Sequence, residues 1–164
     1  MANELRFDGR VAIVTGAGNG LGRAHALLLA SRGAKVIVND LGGGMHGGGK
    51  SSAAADRVVE EIKAAGGEAA ANYDSVEDGA KIVQSALDHF GRLDIVVNNA
   101  GLHYRGDMFR HDAQKLASMF TVNLIAPVVL TRVAAEVMTK GGIVVNVASL
   151  AGKLGVPGSA VYSG

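Results

Sequence analysis

Short apolar runs alternate along this chain with longer stretches in which apolar residues recur every three or four positions. "RVAIVT" (Arg10–Thr15) holds the unbroken apolar run Val11–Val14, the mark of a strand covered on both faces. "LGRAHALLLASRG" (Leu21–Gly33) follows as an amphipathic helix that a glycine stops. "KVIVND" (Lys35–Asp40) predicts a second strand. "SSAAADRVVEEIKAAGG" (Ser51–Gly67) predicts a second helix, with a serine available as its cap. "EAAANY" (Glu68–Tyr73) is a weak third strand, "SVEDGAKIVQSALDHFG" (Ser75–Gly91) a third helix and "LDIVVN" (Leu93–Asn98) a fourth strand. A long helical stretch runs from His111 to Met138, with Pro127 placed to bend it, before a fifth strand in "GGIVVNVAS" (Gly141–Ser149). Strands separated by helices of this length predict βαβ crossovers and a parallel sheet with helices on both faces. The expectation is an α/β, Rossmann-type doubly wound fold, in one domain spanning residues 1–164.

Composition narrows the function more than the fold. The 16 basic and 15 acidic residues leave a formal charge of +1, which favours neither nucleic acid nor an anionic membrane as partner. Cysteine is absent, so disulfides, thiolate metal sites and cysteine nucleophiles are excluded. The first residues, "MANELRFDGR", lack a signal-peptide pattern, and runs such as "ALLLA" are too short to span a bilayer. A cytoplasmic protein is the resulting expectation. Glycine supplies 24 of the 164 residues, roughly twice the usual share, and in clusters rather than at every third position. One cluster, "GGGMHGGGK" (Gly42–Lys50), reads as a flexible loop. His46 within it has no partner cluster, so it reads as solvated and no metal site is expected.

The cluster "TGAGNGLG" (Thr15–Gly22) joins the first strand to the first helix. Gly16 permits the tight turn, Gly20 lets the backbone approach a pyrophosphate, and Gly22 lets the helix pack closely. The helix amino terminus then offers free N–H groups and a favourable dipole to the phosphates. Asn19, Gly20, Leu21 and Gly22 are the candidate contacts there. The second strand ends in Asp40, whose carboxylate can accept hydrogen bonds from a ribose and would repel a 2′-phosphate. Asn19 brings no positive charge, so NAD is expected over NADP. Arg23 is the nearby cation that would oppose this preference if it turned toward the site. Asp74 and Ser75 follow the third strand, where they serve as adenine contacts, as a cap for the third helix, or as both. Asn98, Asn99, Ala100 and Gly101 follow the fourth strand, where small residues permit close backbone approach.

With "TGAGNGLG", "NNAG", Ser149 and "YSG" in order, the chain resembles the short-chain dehydrogenase/reductase family over its whole length. Its first hundred residues, through "RFDGRVAIVTGAG", "VNDLGG" and "VVNNAG", look most like the (3R)-hydroxyacyl-CoA dehydrogenase branch. From Leu102 onward, "FTVNLIAP" and "IVVNVASLAG" look like a generic bacterial member. The resemblance implies an NAD-dependent oxidoreductase that moves a hydride between NAD and a secondary alcohol or ketone. The substrate would be a 3-hydroxyacyl thioester, a steroid or a simpler alcohol. It assigns Asn123 to the proton relay, Ser149 to polarising the substrate oxygen and Tyr162 to acid/base catalysis. Small-molecule substrates and homo-oligomeric assembly are implied as well.

A phenol has a pKa near 10 and is a poor base at neutral pH, whereas a neighbouring cation favours its phenolate by about 1–3 pKa units. The family places that cation as a lysine four residues after the tyrosine, two positions beyond Gly164. A fragment lacking the carboxyl-terminal part of the family fold is therefore expected. Its fifth strand would be an exposed edge. The alternative function is a dinucleotide-binding module without turnover.

Overall fold

A computed structural model describes residues 5–42, 53–138 and 141–163. His46 and Ser51 lie outside them. The strands are β1 (Val11–Thr15), β2 (Lys35–Asn39), β3 (Ala69–Asn72), β4 (Ile95–Asn98) and β5 (Ile143–Asn146). They form one parallel sheet in the order β3-β2-β1-β4-β5. The helices are α1 (Gly20–Ser31), α2 (Ala53–Ala64), α3 (Gly79–Phe90), α4 (Ala113–Phe120), α5 (Ala126–Val137) and the short α6 (Ala160–Ser163). This is the expected doubly wound arrangement. Because β2 and β4 flank β1, the chain reverses direction across the sheet beside β1, and a crevice opens at the carboxyl ends of those strands.

Alternation along each strand divides the core in two. Ala12, Val14, Val36, Val38 and Val97 face α1 and α2, where they meet Ala26, Ala30, Ala55, Val58 and Ile62. Val11, Ile13, Ile37 and Val96 face the opposite way, onto Ile82, Val83 and Ala86 of α3 and Leu130 and Ala134 of α5. The position of β5 at the sheet margin leaves Ile143, Val144 and Val145 between 37 and 44% exposed, as the sequence suggested.

Most element boundaries fall one to four residues from expectation, and three departures have a clear physical reason. α3 starts at Gly79 and not at Ser75, because the Ser75 hydroxyl accepts from Glu77 N at 3.3 Å and its carbonyl from Asp78 N at 2.9 Å. Local hydrogen bonds of this kind compete with a helix. β5 ends at Asn146, since Val147 is the last residue to bond back to β4, through Asn98 O at 2.9 Å. The long helical stretch is continuous over Ala113–Val137 but contains a π-helical turn at Thr121–Ile125. Pro127 has no N–H to give the carbonyl of Asn123, four residues earlier, so the α ladder fails there. The Ala126 N–H bonds instead to Thr121 O. The combined 25-residue helix is long and apolar enough to cross a membrane by length and composition, a feature that the short apolar runs hid. Here Leu130 and Ala134 pack it against the α3 side of the sheet.

Asp94 anchors the far end of the sheet from the crevice. Its carboxylate accepts from Val11 N at 2.9 Å and from Arg92 Nε and Nη2 at 2.8 and 2.6 Å. Burial pushes its pKa up, but the Arg92 and Val11 hydrogen bonds and the charge of Arg10 outweigh burial and hold the carboxyl below its ordinary value of 3.8. A depressed carboxyl stabilises the fold above its unfolded pKa and loses that contribution as pH falls through the folded value. Asp94→Asn should therefore cost about 1–3 kcal/mol at neutral pH. The difference from the parent chain should shrink as the pH drops below about 4 in urea melts. A constant difference down to acid pH would show that the charge contributes nothing.

Candidate active site

The turn after β1 is shaped by what its glycines touch. Gly16 has φ +61°, and a Cβ there would lie 2.9 Å from Ala100 Cα. Gly22 lies against the same turn, where a Cβ would strike Gly16 O and sit 2.5 Å from Asn99 Nδ2. Gly22 thus packs α1 onto its own entry turn as well as onto the sheet. Gly20 differs, since its open side has nothing within 4 Å. No side chain among the described residues caps the start of α1, although Asn19 occupies the cap position. The result is a cradle with free N–H donors and room for backbone approach, which suits a diphosphate.

Asp40 closes that cradle on one side. Its Oδ2 accepts from Gly18 N at 2.8 Å and its Oδ1 from Gly42 N at 2.8 Å. Gly18, which the sequence did not single out, is required here, because a Cβ would come within 2.7 Å of Asp40 Oδ2. The signal was present as the second glycine of "TGAG". The Arg23 guanidinium pairs with Glu61 of α2. Beyond β3, Asp74 Oδ2 accepts from Asn72 Nδ2 at 2.8 Å, and Asn39 Nδ2 joins the group through Asn72 Oδ1 at 2.7 Å. Ser75 closes its own turn with Glu77 and Asp78, so neither Asp74 nor Ser75 caps α3.

The four residues after β4 divide their work. Asn98 is buried and donates to Asn146 Oδ1 at 2.8 Å and Thr131 Oγ1 at 3.2 Å, tying β4 to β5 and α5. Asn99 Nδ2 donates to Thr15 O at 2.9 Å and Gly16 O at 3.2 Å. The buried Thr15 hydroxyl accepts from Asn99 N and Ala100 N, both at 3.0 Å. Thr15, which the sequence did not single out either, therefore fastens the two turns together. Asn123, inside the π turn, binds Leu102 from both sides. Its Oδ1 accepts from Leu102 N at 2.7 Å, and its Nδ2 donates to Leu102 O at 2.8 Å. A π turn inside a helix often marks a functional position.

Ser149 follows β5, and its Oγ accepts from Ala151 N at 3.1 Å in a short 3-10 turn that packs against α6. Tyr162 lies in α6, with its ring stacked on His103 at 4.3 Å between centroids and 25° between planes. His103 Nε2 lies 3.0 Å from the buried Ser159 Oγ. Gly106 N also donates to Gly158 O at 2.9 Å. The loop after β4 thus holds the segment carrying Tyr162. His103 and Ser159 were not expected, since 56 residues separate them and no short motif joins them. No group of three or more potential metal ligands occurs among the described residues.

The short chain dehydrogenase family model matches residues 10–164. The peroxisomal multifunctional enzyme type 2 of Mus musculus is 52% identical over 99% of this chain and 22% of its own length. The peroxisomal hydratase-dehydrogenase-epimerase of Saccharomyces cerevisiae is 49% identical over 99% of this chain and 18% of its own. The chain therefore spans about a fifth of the length of these curated relatives. A solved 7α-hydroxysteroid dehydrogenase, complexed with NADH and 7-oxo glycochenodeoxycholic acid, superposes with a TM-score of 0.85 at 29% identity. That match covers 97% of this chain and 60% of the other. The names of the multifunctional relatives overturn the cytoplasmic expectation and point to peroxisomes. With its family model matched almost end to end, the chain belongs to the short chain dehydrogenase family.

Proposed function

We propose that the chain is the NAD-dependent dehydrogenase part of a peroxisomal enzyme acting on the secondary alcohol of a 3-hydroxyacyl thioester. The observation that carries this reading is that Tyr162, stacked on His103 of the loop after β4, lies at the carboxyl end of the sheet, the end that also bears the uncapped glycine turn and Asp40. Bound NAD would supply the hydride acceptor. Gly16, Asn19, Gly20, Leu21 and Gly22 would hold its phosphates. Asp40 would take the adenosine ribose and Asp74 and Ser75 the adenine. Asn98 to Gly101 would line its second ribose, with Asn98 and Asn99 acting through the backbone they fix.

Tyr162 would take the alcohol proton at its phenolic oxygen, and Ser149 would donate a hydrogen bond to the substrate oxygen. Asn123 holds Leu102 in place and would order water in the proton path. A carboxylate at Asp40 makes a 2′-phosphate unfavourable there, because like charges at hydrogen-bond range repel. The apolar residues left exposed on the α4–α5 helix, Phe120, Leu124, Ile125 and Val128, suit a homo-oligomer.

Calorimetric titration should give NAD at least about tenfold tighter binding than NADP, equivalent to ~1.4 kcal/mol. With NAD and (3R)-3-hydroxybutyryl-CoA present, NADH absorbance should rise. Binding of NAD without any NADH formed would leave a dinucleotide-binding module. Equal binding of NADP would show that Asp40 does not select the cofactor.

A further inference from the structure

Beside the Tyr162 segment, a cavity of about 610 Å³ is lined by Gly101, His103, Tyr104, Arg105, Arg110, His111 and Lys115. Three of these side chains are cationic, two are imidazoles and none is acidic. The two carboxylates of this stretch are occupied elsewhere. Asp107 Oδ1 accepts from Phe109 N at 3.1 Å, and Asp112 Oδ1 accepts from Lys115 N at 2.7 Å, each capping the helical turn that follows. Their ion pairs with Arg110 and Lys115 are long, at 4.0 and 3.7 Å, and solvent-exposed, so they hold those cations weakly. Arg105 has no ion pair among the described residues. His103 is shared, forming a wall of the cavity while it stacks on Tyr162. None of residues 16–22 and not Asp40 lines the cavity, so it lies away from the phosphate-binding turn and adjoins the cofactor region only at Gly101.

We infer that this cavity is a subsite for a phosphate ester carried by the substrate. Three cations around one space favour a group with more than one negative charge, and guanidinium pairs with phosphate through two parallel hydrogen bonds. A carboxylate would neutralise only one of the three. The field of Arg105, Arg110 and Lys115 would draw an anionic substrate toward the tyrosine, and its phosphate would fix which carbon faces the crevice. This inference rests on the dehydrogenase reading in one respect, that the ligand is the substrate.

The test is calorimetric titration with NAD, and then, with NAD kept in excess to fill the diphosphate cradle, with inorganic pyrophosphate and succinate, using the parent chain and Arg105→Ala/Arg110→Ala. Both arginines are exposed, and matching thermal midpoints would show that the fold is kept. Pyrophosphate should bind the parent chain more tightly than succinate, and at least about tenfold more weakly to the variant. NAD affinity should be the same in both. Pyrophosphate binding that ignores the two substitutions, or no binding to the parent, overturns the subsite. Succinate binding as tightly as pyrophosphate overturns the phosphate assignment. If NAD fails to bind while pyrophosphate still depends on the arginines, the dehydrogenase reading falls and the subsite stands.

Discussion

Tyr162→Phe should lower turnover by about 100- to 10,000-fold, the usual contribution of a positioned acid/base group, while leaving NAD affinity within about twofold. The substitution isolates the hydroxyl. A phenylalanine ring keeps the 4.3 Å stack on His103, so the segment held by Ser159 and Gly158 has no reason to move. The cofactor cradle belongs to β1, β2 and α1, which Tyr162 does not support. Initial rates of NADH formation, with NAD titration as the control, read the two quantities separately. Turnover within about threefold of the parent would show that another group moves the proton, because losing the base alone is worth far more. A fall in both turnover and NAD affinity would show a structural role.

Gly22→Ala should be the most damaging change in the cofactor cradle, weakening NAD by about 100-fold or more and costing about 1–3 kcal/mol of stability. The added methyl meets Gly16 O and Asn99 Nδ2, with Gly16 C also within 2.8 Å. Two of these three atoms are backbone, and no rotamer change moves them. The third is the amide that fastens the β1 turn to the β4 turn, so relief would have to open both. Gly20→Ala provides the contrast. Its Cβ meets nothing within 4 Å, but its φ of +55° costs an L-residue about 1 kcal/mol. It should lose no more than that amount in urea melts and still bind NAD poorly, since the methyl would stand where the phosphates approach. Equal stability losses in the two variants would contradict the close packing at Gly22.

Much of this site is written in local order. The strand-to-helix turn, its glycines and the acid ending the next strand fall within 26 consecutive residues, Thr15 to Asp40. Each follows from backbone geometry over a few positions, so the sequence can show it directly. Element types were legible for the same reason, because apolar periodicity is a local property. Boundaries were less so. Ser75 looked like a helix start, but its hydroxyl and carbonyl close a separate turn. Pro127 pointed to a bend, but the consequence fell four residues earlier, at the carbonyl of Asn123.

The sequence by itself determined the alternation of strands and helices and the glycine turn with the acid that ends the next strand, while Ser149 and Tyr162 entered as candidates through the family resemblance. Only the tertiary structure decided how the amides of Asn98 and Asn99 are used, why Gly18 has no side chain, and that His103 supports Tyr162. It alone gathered Arg105, Arg110 and Lys115 around one cavity. The physical reason is separation along the chain. A hydrogen bond between Asn99 and Thr15 spans 84 residues and one between His103 and Ser159 spans 56, and neither partner carries a mark of the other until the sheet brings their loops together.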